Sequence, residues 1–419
     1  MPDSSPALTR RGVLAAGGAA ILGAAGGFVL GTARADGTVS VTEQTLESAN
    51  VPSPAPTATP SSRTGATALP FYGVHQAGVE TEPALLQTFV GLNLREPSRD
   101  ALEAALRLVT DDAARLTRGE PALGDTEPEL AAYPDRLTVT VGLGRPLFAR
   151  VGLEDRIPPQ LPELPAFRTD AFEDPWSQTD LLLQVGSDNA LTLAHTVRML
   201  TKDLSTLTEV AWTQPGFRSP QPAVPGGSST RNLMGQVDGT INPRPGTPEF
   251  SEVVWIDDGP EWYGGGTILV LRRIRMLLDT WEILDRTTQE TVIGRHIDTG
   301  APLGGTSEAD PVPFDATDEL GLPTIPQDAH IRVAHAATPA ETILRRPYSY
   351  DNGMRGGTND VGLLFAAYAR DPRTSFIPMQ ERIAASDAFN RWNTTIGSSV
   401  YILPGGADEG GFLAEGLLA

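Results

Sequence analysis

Asp238 stands in the stretch RNLMGQVDGTINP, which runs from residue 231 to residue 243 and brackets the aspartate with Gly235 and Gly239. A carboxylate held in such a turn can act as a general acid and base, taking a proton from a substrate and returning it later. The same residues are also a common hairpin signal, because glycine after aspartate supplies the positive φ that tight turns need. Composition alone favours the plain turn, so the chemical interpretation depends on the rest of the chain.

The five histidines are the next candidates for chemistry, since the chain has no cysteine. That absence excludes disulfides, thiolate nucleophiles, iron–sulfur clusters and thiolate-ligated haem. His330 and His335 stand five residues apart in AHIRVAHA. We interpret this segment as a strand, which would place the two rings on opposite faces and keep them from binding one zinc ion together. Taken singly, each histidine is more typical of a structural residue.

Length and charge limit the classes of protein that remain. The 419 residues are enough for two domains of ordinary size. The formal net charge is −20, and such a surface repels nucleic-acid phosphates and anionic lipids. We therefore expect no nucleic-acid partner.

The N-terminus has the pattern of an export signal. Arg10 and Arg11 precede an apolar segment at 12–31, and Ala33-Arg34-Ala35 follows it. This pattern predicts a twin-arginine signal over residues 1–35, cleaved after Ala35, with the translocation machinery as a partner and the periplasm, cell envelope or exterior as the destination. A membrane anchor is the alternative. Residues 36–68 are rich in proline, serine and threonine and predict a flexible linker.

Hydrophobic periodicity divides the remainder into two α+β domains, 69–215 and 216–419, with antiparallel strands. In the first domain we predict strands at 70–79, 137–143 and 180–187 and helices at 99–117 and 189–207. In the second we predict strands at 252–256, 267–276, 330–333, 361–369 and 398–404 and helices at 280–291 and 376–392. Two halves of similar pattern suggest two sheets packed in one molecule.

Several motifs in order give the chain a family resemblance. GQVDGT is followed by AHIRVAH, ILRRPYSYD, VGLLFAAYARDP and SDAFNRW. Together they resemble the dye-decolorising peroxidase family, which is similar in fold and haem ligation to chlorite dismutases. The resemblance extends from PFYGVHQAG near residue 70 to SSVYILP near residue 404. It implies two ferredoxin-like domains of the dimeric α+β barrel type, with one haem b per chain held mainly by the second domain.

The resemblance also implies roles for individual residues. His330 matches the proximal iron ligand, Asp387 the acid that orients it, and Asp238 the distal acid. The family pattern places the distal cation at Arg345, and Arg346 stays an alternative because the spacing is slightly short. Pro347 replaces a glycine that is usual in the family, which leaves the pose of the distal arginine open. The remaining residues expected at the cofactor are Gly239, Thr240, Ile241, Arg295 as a propionate contact, His335, and Phe365 as a distal apolar residue that could equally be strand core.

The implied activity is reduction of hydrogen peroxide through compound I, followed by one-electron oxidation of dyes, phenols or other organic donors. Bulky donors would react at surface aromatics, and the sequence does not choose among Trp262, Tyr263, Trp281, Tyr348, Tyr350 and Trp392. One alternative is a deferrochelatase, which releases iron from haem and implies iron-uptake components as partners. Another is a haem-binding protein without turnover. A homo-oligomer is left open, and chlorite dismutase activity is disfavoured because that related family lacks the GxxDGT aspartate.

Overall fold

The computed structural model describes residues 66–223 and 229–419 of the chain. The predicted export signal, 1–35, and most of the predicted linker, 36–68, lie outside the described residues. Within the described ranges, every helix is too short or too polar to cross a membrane.

The first half of the described chain alternates strands and helices. Its elements are β1 (Leu86–Leu94), α1 (Arg99–Thr117), β2 (Thr138–Gly144), α2 (Arg145–Arg150), β3 (Leu181–Ser187), α3 (Ala190–Asp203) and β4 (Thr208–Phe217). α1 begins where the side chain of Ser98 accepts a hydrogen bond from the N–H of Ala101, a standard N-cap. Leu102, Leu106 and Val109 follow at helical spacing and are buried, so one face of α1 packs on the sheet.

The second half contains more short elements. They are β5 (Thr230–Arg231), β6 (Val237–Asp238), α4 (Pro248–Val254), β7 (Thr267–Met276), α5 (Leu278–Trp281), α6 (Arg286–Ile293), α7 (His330–Val333), β8 (Leu344–Arg345), β9 (Tyr348–Arg355), β10 (Thr358–Ala369), α8 (Phe376–Ser386) and β11 (Asn393–Leu403). β5 and β6 pair with each other as a separate two-stranded sheet. The long strands β7, β10 and β11 provide the wall against which the shorter elements stand.

Nine strands form one antiparallel sheet in the order β7-β11-β2-β3-β1-β4-β9-β10-β8, and β10 also pairs with β7. The sheet therefore closes into a barrel, with β8 beside β10. The first half contributes β4-β1-β3-β2 and the second β11-β7-β10-β9. When the four strands named for each half are numbered 1 to 4 in chain order, leaving out the short strands β5, β6 and β8, both orders are 4-1-3-2, the ferredoxin-like arrangement. The predicted α+β class with ferredoxin-like halves is confirmed.

The two halves join along strands instead of packing as separate sheets. At one seam Phe217 of β4 pairs with Ser349 of β9. At the other, Tyr401 and Ile402 of β11 pair with Gly144 and Leu143 of β2. Strand pairing across both seams satisfies backbone hydrogen bonds that separate sheets would leave at open edges.

Three predicted strands are wrong. Residues 70–79 are irregular, with Gly78 at a φ of 102°, and they are held by the amide of Gln76, which donates to the carbonyls of Val141 and Pro404. Residues 252–256 fall mostly in α4, which begins at Pro248 after the N-cap Thr247. Residues 330–333 are the short helix α7. The strands β1, β4 and β9 and the two-residue strands β5, β6 and β8 were not predicted.

The single helix predicted at 280–291 is also wrong, because the chain turns at 282–284 and Asp285 caps a new helix, so that two short helices, α5 and α6, stand there. The other predicted elements are present, most of them with shifted ends. α1 and β7 have the predicted bounds. α3 ends four residues early, at Asp203, and α8 ends six residues early, at Ser386, because each continues as a short 3₁₀ turn. β4 extends past residue 215, the predicted end of the first domain, to Phe217.

Candidate active site

A deep cleft lies in the second half, between the barrel wall and the helices α7 and α8. Its empty volume, open mouth included, is about 1700 Å³. Ile274 of β7 and Leu363 of β10 contribute apolar side chains to the wall. All ten residues expected from the sequence to contact a cofactor or react line this cleft, namely Asp238, Gly239, Thr240, Ile241, Arg295, His330, His335, Arg345, Phe365 and Asp387.

His330 is held by a buried carboxylate. It begins α7, and its Nδ1 lies 2.6 Å from Oδ2 of Asp387, whose side chain is 1% exposed. The other oxygen, Oδ1, accepts from the N–H of Phe389, so the turn after α8 fixes the carboxylate. With Nδ1 donating to Asp387, Nε2 of the ring is the nitrogen free to bind a metal.

The same contact changes the proton affinity of the imidazole. Burial by itself lowers the pKa of His330, but the charge of Asp387 and its hydrogen bond outweigh burial and raise the pKa above the usual value. A carboxylate on the second nitrogen makes an imidazole a more electron-rich ligand.

Asp238 and Arg345 form an ion pair in the lining of the cleft. Nη1 of Arg345 lies 3.4 Å from Oδ1 of Asp238, and the side chains are 27% and 16% exposed. Asp238 ends β6, paired across to Thr230, and Gly239 follows with a φ of 100°. That left-handed conformation suits glycine and lets the chain turn sharply after the acid. An acid that can move a proton therefore stands beside a cation that can stabilise an anion.

Arg346 points away from this pair. Adjacent residues of a strand face opposite sides, and Arg346 is buried with its guanidinium donating to the carbonyl oxygens of Val79 and Thr81. It joins the second half to the segment that precedes β1. Of the two arginines considered from the sequence, only Arg345 lines the cleft.

Arg295 is the cation best suited to a carboxylate of a ligand. Its Nη1 donates to the carbonyl oxygens of Gly300 and Glu308, at 2.6 and 3.1 Å. Burial lowers the pKa of Arg295, although the charge of Glu308 opposes this. Arg272 also lines the cleft, but it is ion-paired with the buried carboxylate of Asp170. Arg295 can therefore bind an added anionic group with its remaining donors.

The other expected residues occupy varied positions around the cleft. Ile241 is 56% exposed. His335 lies edge-on to Phe314, with the ring centroids 4.9 Å apart. Phe365 is partly buried and packs against the core while also lining the cleft, a position compatible with either interpretation of this residue. Thr240 directs its hydroxyl to Oε1 of Glu308, at 2.8 Å.

The remaining histidines have structural surroundings. His195 contacts the buried carboxylate of Asp125 at 2.9 Å. His75 stacks on Trp255 with the centroids 3.8 Å apart, and His296 contacts Glu290. Among the described residues, no cluster of three or more histidine, aspartate and glutamate side chains has the geometry to bind a metal ion.

One of the six aromatic candidates reaches the surface. Trp262, Tyr263, Trp281, Tyr348 and Tyr350 are buried, whereas Trp392 is half-buried. The ring of His330 lies 5.4 Å from that of Phe389, which lies 5.6 Å from Trp281, and Trp281 lies 5.4 Å from Trp392. A continuous series of rings thus leads from the cleft to Trp392.

Sequence reasoning missed three residues that support the cleft. Asn242 binds the backbone of Arg345, Glu308 accepts from Thr240, and Phe389 packs beside His330. Asn242 belongs to the stretch around Asp238, and its position there was the available signal. Glu308 lies in an irregular segment, where no pattern indicates it.

Comparison with known proteins finds relatives over most of the chain. The Dyp-type peroxidase C-terminal family model matches residues 229–408, and the N-terminal model matches residues 76–218. A dye-decolorizing peroxidase of Thermobifida fusca is 40% identical over 372 residues, covering 85% of each chain. A deferrochelatase of Yersinia pestis is 36% identical over 369 residues, covering 83% of this chain and 84% of the relative.

Solved structures show the same likeness. A DyP-type peroxidase from Cellulomonas bogoriensis superimposes with a TM-score of 0.81 at 45% identity, covering 85% of this chain and 99% of that one. An X-ray generated oxyferrous complex of DtpA from Streptomyces lividans gives 0.80 at 37% identity, again covering 85% and 99%.

Proposed function

Because this chain belongs to the Dyp-type peroxidase family, we propose that its cleft reduces hydrogen peroxide and that its oxidising equivalents pass singly to organic donors. The enzyme is a haem peroxidase by family. The observation that supports the finer proposal is that one cleft contains both the His330–Asp387 contact and the Asp238–Arg345 pair. The first pair suits a metal ligand, and the second suits proton transfer to a bound oxidant.

The cleft fits haem in the chemistry of its side chains. Nε2 of His330 is the nitrogen left to bind iron, and Arg295 is the cation with donors left for a propionate. Its wall presents apolar side chains to a flat ring. When bound, haem supplies the iron centre at which peroxide is reduced and from which two oxidising equivalents are drawn.

Asp238 and Arg345 have different proposed roles in the reaction with peroxide. The carboxylate of Asp238 takes the proton from the inner oxygen of peroxide and delivers it to the outer oxygen, which then leaves as water. The guanidinium of Arg345 cannot act as that base, because it stays protonated, but it stabilises the anion formed when peroxide loses its proton. Partial burial of both groups strengthens this interaction.

The half-buried Trp392 is the proposed point at which electrons from bulky donors enter the protein. The series His330, Phe389, Trp281 and Trp392 keeps each ring within 5.6 Å of the next. Dyes too large for the cleft can then be oxidised at the surface, while small donors enter it.

A deferrochelatase activity is the second candidate, supported by curated relatives of that name at 36% and 34% identity. The two activities are separable by their products. Incubation of the haem-loaded protein with peroxide and a dye should bleach the dye, whereas recovery of intact protoporphyrin and free iron would favour the second activity.

Export by the twin-arginine pathway completes the proposal, supported by Arg10, Arg11 and the Ala33-Arg34-Ala35 site. The enzyme would then act in the periplasm, in the cell envelope or outside the cell. Mass spectrometry of the mature protein should find Asp36 at its N-terminus, and lysine at both Arg10 and Arg11 should retain the precursor inside the cell. Export that persists in that variant would reject this route.

A further inference from the structure

Asn242 makes a reciprocal pair of hydrogen bonds with the backbone of Arg345. Its Nδ2 donates to the carbonyl oxygen of Arg345 at 2.8 Å, and its Oδ1 accepts from the N–H of Arg345 at 3.1 Å. On the other edge of the segment, the N–H of Arg346 donates to Ala366 in β10. The amide of Asn242 therefore takes the place of a neighbouring strand at the free edge of β8.

The contact between Asn242 and Arg345 links the two chain segments that carry Asp238 and Arg345. Asn242 follows Asp238 by four residues, so the segment that carries the acid is also fastened to the backbone that carries the cation. Gly239, with its φ of 100°, makes the turn between them. A second contact, in which the Thr240 hydroxyl donates to the carboxylate of Glu308, also restrains this turn.

The ion pair by itself is a weak constraint on geometry. At 3.4 Å it is longer than the 2.7–2.9 Å or so of a strong charged hydrogen bond, and both side chains are partly exposed. A long arginine side chain loses considerable rotamer entropy when it is held in one place. The backbone anchor fixes the point from which that side chain extends before any ligand arrives.

We propose that Asn242 is a positioning residue, which fixes the distance between Arg345 and Asp238 so that one peroxide molecule can contact both side chains. This role rests on the proposed peroxidase function. Asn242 is absent from the residues that line the cleft, so it acts through Arg345. Without the amide of Asn242, Asp238 and Arg345 are both still present, but the distance between their side chains is no longer fixed.

The test uses the haem-loaded protein with Asn242→Ala and Asn242→Asp. The aspartate variant keeps the side-chain size and the acceptor but cannot donate to the carbonyl of Arg345. Both should lower kcat/KM for hydrogen peroxide by about 10- to 100-fold, the usual effect of a small misplacement, with the KM for a small donor and the haem absorption unchanged. Hydrogen exchange at the Arg345 amide should accelerate, with or without haem.

The matched control is Asn189→Ala. Asn189 also binds backbone with its side chain, accepting from Leu191 and Thr192 at the start of α3, and its loss should lower thermal stability alone. A double-mutant cycle gives the second control: on an Arg345→Ala background, Asn242→Ala should change kcat/KM by less than about twofold, because coupled residues are non-additive.

Two results would overturn the proposal. One is a loss in the Asn242 variants no larger than in Asn189→Ala, and the other is a loss undiminished on the Arg345→Ala background. Failure of the function itself would look different, since the unmodified protein would then not react with peroxide. Amide exchange at Arg345 would still show whether Asn242 anchors it.

Discussion

The carboxylate of Asp387 lies 2.6 Å from Nδ1 of His330 and is almost wholly buried. We expect Asp387→Asn to retain haem binding but to slow the reaction with peroxide by about 10- to 100-fold, the usual effect of losing such a partner. Stopped-flow absorption with excess peroxide measures this rate. Unchanged kinetics would show that Asp387 only supports the fold.

Asp238→Ala should slow the peroxide reaction much more. Positioned acid–base groups typically contribute about 10²- to 10⁴-fold, and we expect a loss in that range with the haem content unchanged. The control is Asp408→Ala, which removes an exposed aspartate outside the cleft. If the two variants react alike, the carboxylate of Asp238 does not transfer the proton and its proposed role is wrong.

Trp392→Phe should separate bulky donors from small ones. We expect oxidation of a large anthraquinone dye to fall by at least about tenfold, because phenylalanine is much harder to oxidise than tryptophan, while a small phenol reacts normally. The matched control is Trp262→Phe, a buried tryptophan packed against Phe148 and Tyr263. A uniform decrease for both donors would contradict entry of donor electrons at Trp392.

The pH dependence of stability should reveal a buried acid pair in the first half. Asp112 of α1 and Asp203 of α3 each have a buried Oδ2 without a hydrogen-bond partner among the described residues. Burial raises the pKa of Asp112 from 3.8 to about 6, with the charge of Asp203 adding to the effect and the N–H of Leu123 opposing it. A proton shared by the pair would satisfy both oxygens.

Because the folded state binds this proton more strongly, its stabilising effect is complete below about pH 4 and is lost as the pH rises through about 6. Asp112→Asn stays neutral, so its stability relative to the unmodified protein should rise by about 1 to 3 kcal/mol between pH 4 and pH 8. Thermal melts across this range measure it, with Asp111→Asn as control. A difference independent of pH would exclude the shared proton.

Local periodicity predicted the elements whose burial follows a simple pattern. α1 has a clear apolar face and a serine cap, and β7 begins with the apolar run Ile268–Leu271. β1 was not predicted because it is central and almost entirely buried, so its sequence lacks the alternation of apolar and polar residues that marks a half-buried strand. Closure of the barrel depends on pairing between distant strands, such as β4 with β9, and no local pattern specifies that.

The site was predicted from motifs, and the orientation of its side chains was not. The sequence left Arg345 and Arg346 as alternatives, and the pairing of β8 with β10 places only the first in the cleft. The strand predicted at His330 was wrong because a four-residue helix is too short to show helical periodicity. Supporting contacts such as Asn242 with Arg345 join residues about a hundred positions apart and needed the structure.

Titration of the apo-protein with haem, for His330→Ala and His335→Ala side by side, tests most directly which residue binds the iron. Both histidines line the cleft, but His330 alone contacts Asp387. We predict that His330→Ala loses the sharp Soret band and most of its haem affinity, whereas His335→Ala binds one haem per chain with an unchanged spectrum. Retention of the spectrum in His330→Ala, with its loss in His335→Ala, would contradict the account.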